Sequence, residues 1–170
     1  ENLVEFNMEG KNIEIKDIRE ELEDFVIFGV RACDARSFTI LDKVYLSEPV
    51  DSFYKNRRDH GTVVTMACNR PSETCFCQAF GIDPTAPEGD VACWNEAGYI
   101  YFDSYTEKGK KFIDLIMHLL EECDTEELEK SKEKTKNILS QLPLANLSTE
   151  AFGGEKLNEY FKSEKWGELS

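Results

Sequence analysis

Two short runs of apolar, β-branched and aromatic residues predict the central strands of the chain. The first spans residues 25–30 (Phe-Val-Ile-Phe-Gly-Val) and the second spans residues 62–67 (Thr-Val-Val-Thr-Met-Ala). Continuous apolar runs of this length are typical of strands that are buried on both faces of a sheet. Between them, Asp34 is placed to cap a helix over residues 35–41, and residues 51–60 also have a helical pattern. The pattern predicts two parallel strands that are joined by a helical crossover.

Further elements are predicted on both sides of this pair. Alternation of apolar and polar residues over residues 4–15 predicts an N-terminal hairpin, and residues 91–94 and 99–102 predict two more strands. After Thr106 and again after Asp124, apolar residues recur at three- and four-residue spacing, which indicates two helices. The predicted fold class is therefore α/β, with a short, mainly parallel sheet, flanking helices and a helical C-terminal extension.

The same pattern predicts how the 170 residues are divided. Residues 1–104 form the α/β domain that carries most of the cysteines, and residues 105–170 form a helical extension that packs on it. No apolar run approaches the roughly 20 residues that cross a bilayer, and the N-terminus lacks the pattern of a signal peptide. Because the chain begins with Glu1 rather than Met, we expect it to be either a fragment of a larger protein or a processed chain.

The charge of the chain is strongly acidic but unevenly distributed. The formal net charge is −14, so nucleic acid and anionic membrane surfaces are not expected partners. Residues 31–77 contain seven Lys or Arg and six Asp or Glu, and so are nearly neutral. This segment also holds four of the six cysteines. The predicted chemistry of the chain is therefore concentrated in this segment.

Cysteines follow both of the predicted parallel strands. Cys33 comes soon after the first strand, Cys68 directly follows the second, and Cys75 and Cys77 lie in the next loop. The carboxyl ends of neighbouring parallel strands meet at one edge of a sheet, where ligands collect in α/β folds. Four thiols are therefore predicted to converge at this edge. In a chain without a secretory signal, clustered cysteines indicate a reduced, cytosolic setting and metal or redox chemistry.

Four thiolates suit either a [4Fe–4S] cluster or zinc. Structural zinc sites favour Cys-x2-4-Cys pairs, and the spacings here are Cys-x6-Cys and Cys-x-Cys, so an iron–sulfur cluster is the favoured prediction. A zinc site and a site without metal remain the alternative predictions. The negative charge of such a site would be offset by nearby arginines, for which the candidates are Arg31, Arg36, Arg57, Arg58 and Arg70. For Arg57 and Arg58, a solvated helix face is an equal alternative. Backbone N–H groups of the turn over residues 69–74 are predicted to donate to the sulfurs.

The motifs over residues 25–103 resemble a known family. They are Gly-Val-Arg-Ala-Cys-Asp-Ala-Arg at residues 29–36, Asp51 with Tyr54 and Arg57-Arg58, the cysteines at 68, 75 and 77, and Gly81 with Pro84. They resemble the iron–sulfur subunits of anaerobic oxidoreductase complexes, namely the beta subunit of sulfhydrogenase-type nickel–iron hydrogenases and the iron–sulfur subunit of anaerobic sulfite reductase.

The resemblance implies a cytoplasmic electron-transfer function rather than a self-contained enzyme. It implies that Cys33, Cys68, Cys75 and Cys77 are cluster ligands and that the partners are a flavoprotein subunit and a catalytic oxidoreductase subunit. The family normally continues into two ferredoxin-type cysteine motifs, which are not in this sequence. Either the chain is a fragment or its electron relay is shorter than in its relatives.

The remaining features favour less specific interpretations. Cys93 in a predicted strand and Cys123 on an apolar helix face are expected to be core residues, since buried free cysteine is common. The sequence has no phosphate-binding glycine loop and no nucleophile elbow, so a self-contained active site is not indicated. The alternative function is a zinc-stabilised or metal-free protein-interaction module.

Overall fold

The structure is a computed structural model that describes residues 4–16, 23–149 and 157–168. It begins with an antiparallel hairpin of two strands, β1 (Glu5–Glu9) and β2 (Asn12–Lys16). Gly10 has a φ of +63°, in the left-handed region that glycine adopts without steric cost, and this allows the tight turn. The predicted N-terminal hairpin is therefore confirmed.

A separate four-stranded sheet forms the centre of the molecule. In spatial order its strands are β3 (Phe25–Arg31), β4 (Gly61–Met66), β5 (Val91–Glu96) and β6 (Tyr99–Ser104). The first two pairings are parallel and the last is antiparallel, which confirms the predicted α/β class with a mainly parallel sheet. The predicted strands at residues 91–94 and 99–102 are confirmed, each with two further residues.

The crossover from β3 to β4 contains α1 (Ala32–Tyr45) and α2 (Ser52–His60). Asp51 caps α2, since its side chain accepts a hydrogen bond from the Tyr54 N–H at 2.9 Å. The predicted start of α1 is wrong by three residues, because Arg31 is the N-cap residue and Asp34 lies in the first turn. A carboxylate there still interacts favourably with the helix dipole. The earlier start places Cys33 inside the helix rather than in the turn before it.

Helices cover both faces of the sheet. α3 (Glu107–Ile116) packs Phe112 and Ile113 against a buried cluster of Val64, Val91 and Cys93. α4 (Glu126–Ser140) packs Leu128 against Ala92 and Trp94, which point to the other face because side chains alternate along a strand. A short helix, α5 (Leu157–Phe161), follows.

The ends of these helices refine the predictions for the C-terminal third. Thr106 caps α3 as predicted, whereas Thr125 rather than Asp124 is the N-cap residue of α4. None of the helices in the described parts of the chain is both long and apolar enough to cross a membrane. The division of the chain after residue 104 stays a prediction.

The position of β3 differs from the prediction of a strand buried on both faces. Among the described strands, only β4 pairs with β3, so β3 lies at an edge of the sheet. Phe28 is 51% exposed, and its neighbours Val26 and Ile27 are also exposed. A bulge between Phe28 and Val30, centred on Gly29 with a φ of +82°, interrupts the ladder. The run is apolar as predicted, but its outer edge has no strand beside it in the described chain.

A polar network joins α1 to α2. The Tyr54 hydroxyl donates to Asp42 Oδ1 at 2.7 Å, and Arg58 Nε donates to both carboxylate oxygens of Asp42 at 3.1 and 3.3 Å. Burial raises the pKa of Tyr54 to about 12, and the hydrogen bond and negative charge of Asp42 contribute to this increase. Since the folded pKa is raised, the stability that this tyrosine contributes is present below about pH 10 and is lost as the pH rises through 12.

We expect Asp42→Asn to lower the pKa of Tyr54 and to reduce the free energy of unfolding by about 1–2 kcal/mol. The reason is that a neutral amide is a weaker acceptor for both Tyr54 and Arg58. Absorbance titration of tyrosine and urea unfolding would measure the two effects. As a control, Asp114→Asn on the exposed side of α3 should change the stability by less than about 0.5 kcal/mol. Equal effects of the two substitutions would contradict the prediction.

Candidate metal centre

Two strand ends place Cys33 and Cys68 at the same edge of the sheet. Arg31, the last residue of β3, pairs with Met66, the last residue of β4. Cys33 lies two positions beyond Arg31, in the first turn of α1, and Cys68 lies two positions beyond Met66. Cys33 is exposed and Cys68 is half-buried. The parallel register therefore brings the chain segments of these two cysteines together.

The loop after Cys68 carries Cys75 and Cys77, both of which are half-buried. A turn precedes Cys75, whose N–H donates to the Ser72 carbonyl at 3.0 Å. Cys77 begins a single 3-10 turn that ends at Gly81. The φ of Gly81 is +67°, in the left-handed region that glycine adopts without steric cost. The short spacing of the two cysteines is thus fixed between two hydrogen-bonded turns.

The same loop is anchored to the sheet at both ends. The Cys68 N–H donates to the Pro84 carbonyl at 2.8 Å, and this contact closes the loop at its base. The indole N–H of Trp94, a buried residue of β5, donates to the Thr85 carbonyl at 2.8 Å. These bonds hold the cysteine-bearing loop against the carboxyl end of the parallel strands.

The four thiols interact electrostatically. Burial raises the pKa of the Cys68 thiol, and the nearby Cys75 and Cys33 raise it further. Burial also raises the pKa of Cys77, with further contributions from Cys33, Cys75 and Cys68. Each of the four cysteines therefore lies close enough to at least one other for their charges to interact.

Hydrogen-bond donors surround the sulfur atoms. The Ser72 N–H donates to Cys75 Sγ at 3.2 Å, and the Ser72 hydroxyl lies 3.4 Å from the same atom. A hydrogen bond from the backbone of Arg70 lowers the pKa of Cys68, against the larger effect of burial. Cys33 lies at the N-terminus of α1, where the helix dipole favours negative charge. These donors oppose the burial that raises the pKa of Cys68 and Cys77, and they would stabilise the negative charge of sulfurs that bind a positively charged group.

A zinc ion and a [4Fe–4S] cluster require different spacings of the sulfurs that bind them. In residues 4–16, 23–149 and 157–168, no three Cys, His, Asp or Glu side chains lie close enough together to hold a single metal ion. Zn–S bonds of about 2.3 Å would require the sulfurs around one zinc ion to lie within about 4 Å of each other. In a [4Fe–4S] cluster each thiolate binds a different iron atom, so the four sulfurs stand further apart. Four thiols on neighbouring segments, with N–H donors beside Cys68 and Cys75, provide the type of donor set that a [4Fe–4S] cluster uses.

The predicted arginines fall into two groups. Arg31 lies near the thiols, since its charge acts to lower the pKa of Cys68. The Arg57 guanidinium instead lies over the ring of Phe25, 5.7 Å from its centroid, at the opposite end of β3. Arg58 is bound to Asp42 in the network between α1 and α2. Of the two alternatives for Arg57 and Arg58, the one in which they offset the charge of the site is therefore wrong.

The two remaining cysteines also differ from each other. Cys93 is fully buried in the core of the sheet, as predicted, and burial raises its pKa to about 11. Cys123 is exposed, which contradicts the prediction that it is a core residue. The reason is that α3 ends at Ile116 and a 3-10 turn over Met117–Leu119 changes the direction of the chain.

The prediction that N–H groups in the turn over residues 69–74 donate to sulfur is confirmed by Ser72, whose N–H donates to Cys75. Sequence reasoning missed the pair of phenylalanines Phe76 and Phe80, whose rings meet edge to face with centroids 5.7 Å apart. Their spacing of four residues within a predicted loop gave no signal for this contact.

Comparisons with known proteins agree with the resemblance in the sequence. No family model matches the chain, and no solved structure matches it. Over 59 residues, or 35% of its length, the chain is 49% identical to sulfhydrogenase 2 subunit beta of Pyrococcus furiosus. The match spans 17% of that relative's length. The predicted resemblance is confirmed over this stretch: the chain contains a domain similar to the beta subunit of a sulfhydrogenase.

Proposed function

We propose that Cys33, Cys68, Cys75 and Cys77 bind one [4Fe–4S] cluster and that the chain transfers electrons within a multisubunit anaerobic oxidoreductase. The observation that carries this proposal is the parallel register of β3 and β4, which brings the segments of Cys33 and Cys68 to one sheet edge beside the loop of Cys75 and Cys77. The four thiols come from two neighbouring strand ends and one anchored loop, so the fold itself gathers them. When bound, the cluster would supply a one-electron redox centre.

The residues around the thiols have separate tasks in this proposal. The four thiolates bind the group, and the N–H groups of Ser72 and Arg70 donate to two of them. Such donors stabilise added negative charge, and so favour the reduced form and raise the reduction potential. Three of the four cysteines are half-buried, which limits contact with water, while Cys33 keeps one side of the site at the surface.

The similarity to a sulfhydrogenase subunit supports the cellular role that we propose. The complex would be of the hydrogenase or sulfite reductase type, and the partners would be a flavoprotein subunit and a catalytic subunit. A reduced cytoplasmic setting suits thiolate ligands, which oxidation would remove. In this role the chain is an electron-transfer part of an oxidoreductase rather than a self-contained enzyme.

Metal analysis of anaerobically prepared protein tests the proposal directly. We expect about four iron atoms per chain and a broad absorbance near ~400 nm that bleaches with dithionite, as thiolate-bound iron clusters show. Stoichiometric zinc without iron would refute the proposal and would indicate a zinc-stabilised interaction module instead. Protein that folds without any metal after anaerobic reconstitution with iron and sulfide would also refute it.

A further inference from the structure

We propose that the outer edge of β6 binds an extended segment of a partner polypeptide that is rich in basic and apolar residues. The site is a groove with residues 98–102 on one side and residues 116 and 119–123 on the other, which we call the β6 groove. It lies outside the candidate metal centre. The proposal goes beyond the proposed function and does not depend on a cluster.

β6 lies at an edge of the sheet, beside the connection from α3 to α4. In the described chain, β5 is the only strand that pairs with it. α3 and α4 cover opposite faces of the sheet, and the connection between them lines the β6 groove. Among the described residues, no backbone hydrogen bond joins this connection to β6. The connection therefore forms one wall of a groove without completing the sheet.

The turn between β5 and β6 determines which backbone groups face the groove. Its two residues have positive φ angles of +52° and +85°, as in the tight turns of hairpins. The residues beside such a turn, Glu96 and Tyr99, form a hydrogen-bonded pair, and pairs with and without hydrogen bonds alternate along the ladder. The N–H and C=O groups of Ile100 and Phe102 therefore point away from β5. An added strand would bind to these groups.

Apolar side chains line the groove on both sides. Successive residues of a strand point to opposite faces, so a groove lined by residues 99–102 extends around the strand edge. Tyr99 is 69% exposed, and Leu119 across the groove is 73% exposed. The groove has a volume of about 580 Å³, which is typical of a binding cleft. Apolar side chains of a bound strand would pack against this lining.

The charge along the groove is negative and is not balanced. A second cavity, of about 320 Å³, continues the groove towards α4 and shares residues 100–102 with it. The charged side chains that line the two cavities are Asp103, Glu121, Glu122, Glu129 and Lys132. Lys132 is bonded to Glu129 at 2.6 Å, so the other three carboxylates have no basic neighbour in the described lining. Lys and Arg side chains of a partner would therefore be attracted here.

The same charge favours a different polypeptide over a second copy of this chain. The chain has a net charge of −14, and β6 contains Asp103 but no Lys or Arg. Two β6 edges that paired with each other would bring like charges together across the ladder. A basic segment avoids this repulsion.

A capped peptide of alternating lysine and valine, about six residues long, is the probe, with affinity measured by fluorescence anisotropy. Ile100→Pro removes an outward N–H, and proline is tolerated at such a position of an edge strand. We expect this substitution to weaken binding at least about tenfold, whereas Ile100→Val, which keeps the N–H, changes it less than about twofold. Amide hydrogen exchange at Ile100 and Phe102 should slow when the peptide binds.

Charge reversal tests the electrostatic part of the proposal. Glu121→Lys and Glu122→Lys should each weaken binding at least about threefold. Glu14→Lys, at an exposed residue of β2, is the matched control and should change it less than about twofold. A peptide of alternating glutamate and valine should not bind to the wild-type protein.

Three results would overturn the proposal. They are equal binding of the acidic peptide, unchanged exchange at β6 in the presence of bound peptide, and self-association of the chain, detected by analytical ultracentrifugation, that Ile100→Pro abolishes. If Ile100→Pro does not fold, as judged by circular dichroism, the exchange measurement and the two charge reversals decide the outcome. Iron analysis of the same samples tests the proposed function separately, because peptide binding to protein without iron would refute only that function.

Discussion

Cys75→Ser is expected to remove the visible colour and almost all of the iron from anaerobically prepared protein. The sulfur of Cys75 accepts a hydrogen bond from the Ser72 N–H at 3.2 Å, and its proximity contributes to the raised pKa values of Cys68 and Cys77. A serine hydroxyl has a similar shape, but it stays protonated at neutral pH and is a poor ligand for iron clusters. Iron should therefore fall from about four atoms per chain to below about one.

Cys123→Ser is the matched control for this substitution. Cys123 is an exposed free cysteine outside the site, so its replacement should leave the iron content and absorbance unchanged. Elemental analysis and absorbance near ~400 nm measure the loss of the cluster, and circular dichroism checks that both variants remain folded. Full retention of iron in Cys75→Ser, or equal loss of iron in Cys123→Ser, would contradict the assignment of ligands.

The parallel pairing of β3 and β4 is predictable because two apolar runs are separated by helical segments of sufficient length for a crossover. The edge position of β3 is not predictable in the same way. An apolar run shows that a strand can be buried on both faces, but not whether another strand or helix is available to cover it. Phe28 consequently has the sequence context of a core residue and the exposure of a surface residue.

The error over Arg57 and Arg58 has a topological cause. Both residues lie near the end of α2, which leads directly into β4. Residues that precede a strand lie at its amino end, whereas Cys68 follows the same strand at its carboxyl end. Arg57 and Arg58 are therefore close to Cys68 in the sequence but lie at the opposite end of β4 in the structure. Arg31, which ends a strand, lies at the correct edge.

The predicted convergence of the cysteines rested on strand direction, but the donors to their sulfurs depend on the conformation of the loop. Asn69 to Thr74 contain turn-forming residues, so the sequence predicts a turn there. Which N–H groups point at sulfur follows from the backbone angles within that turn, and residue types do not determine these. The sequence therefore predicts donors within residues 69–74, and the structure identifies Ser72 as one of them.

The second large effect is expected at Gly109, where α3 passes very close to the start of β5. A Cβ atom at Gly109 would lie 2.1 Å from the Asp90 carbonyl oxygen and 2.8 Å from its carbon. The obstacle is backbone, and it cannot turn away easily because the same carbonyl accepts the Tyr105 N–H at 2.9 Å. Gly109→Ala would force α3 outward and loosen the packing of Phe112 on the buried cluster.

We expect Gly109→Ala to lower the free energy of unfolding by about 3–5 kcal/mol, measured by urea denaturation. Alanine is the better helix former by about 1 kcal/mol, so the sign of the result shows whether the backbone clash or helix propensity dominates. Gly167→Ala, where a Cβ would meet no atom within 4 Å, is the control and should be neutral within about 1 kcal/mol. A Gly109→Ala protein as stable as wild type would mean that α3 does not pack against Asp90 this closely. Since the contact joins the helix to the strand after the cysteine loop, a destabilised variant should also lose iron more readily, whereas Gly167→Ala should not.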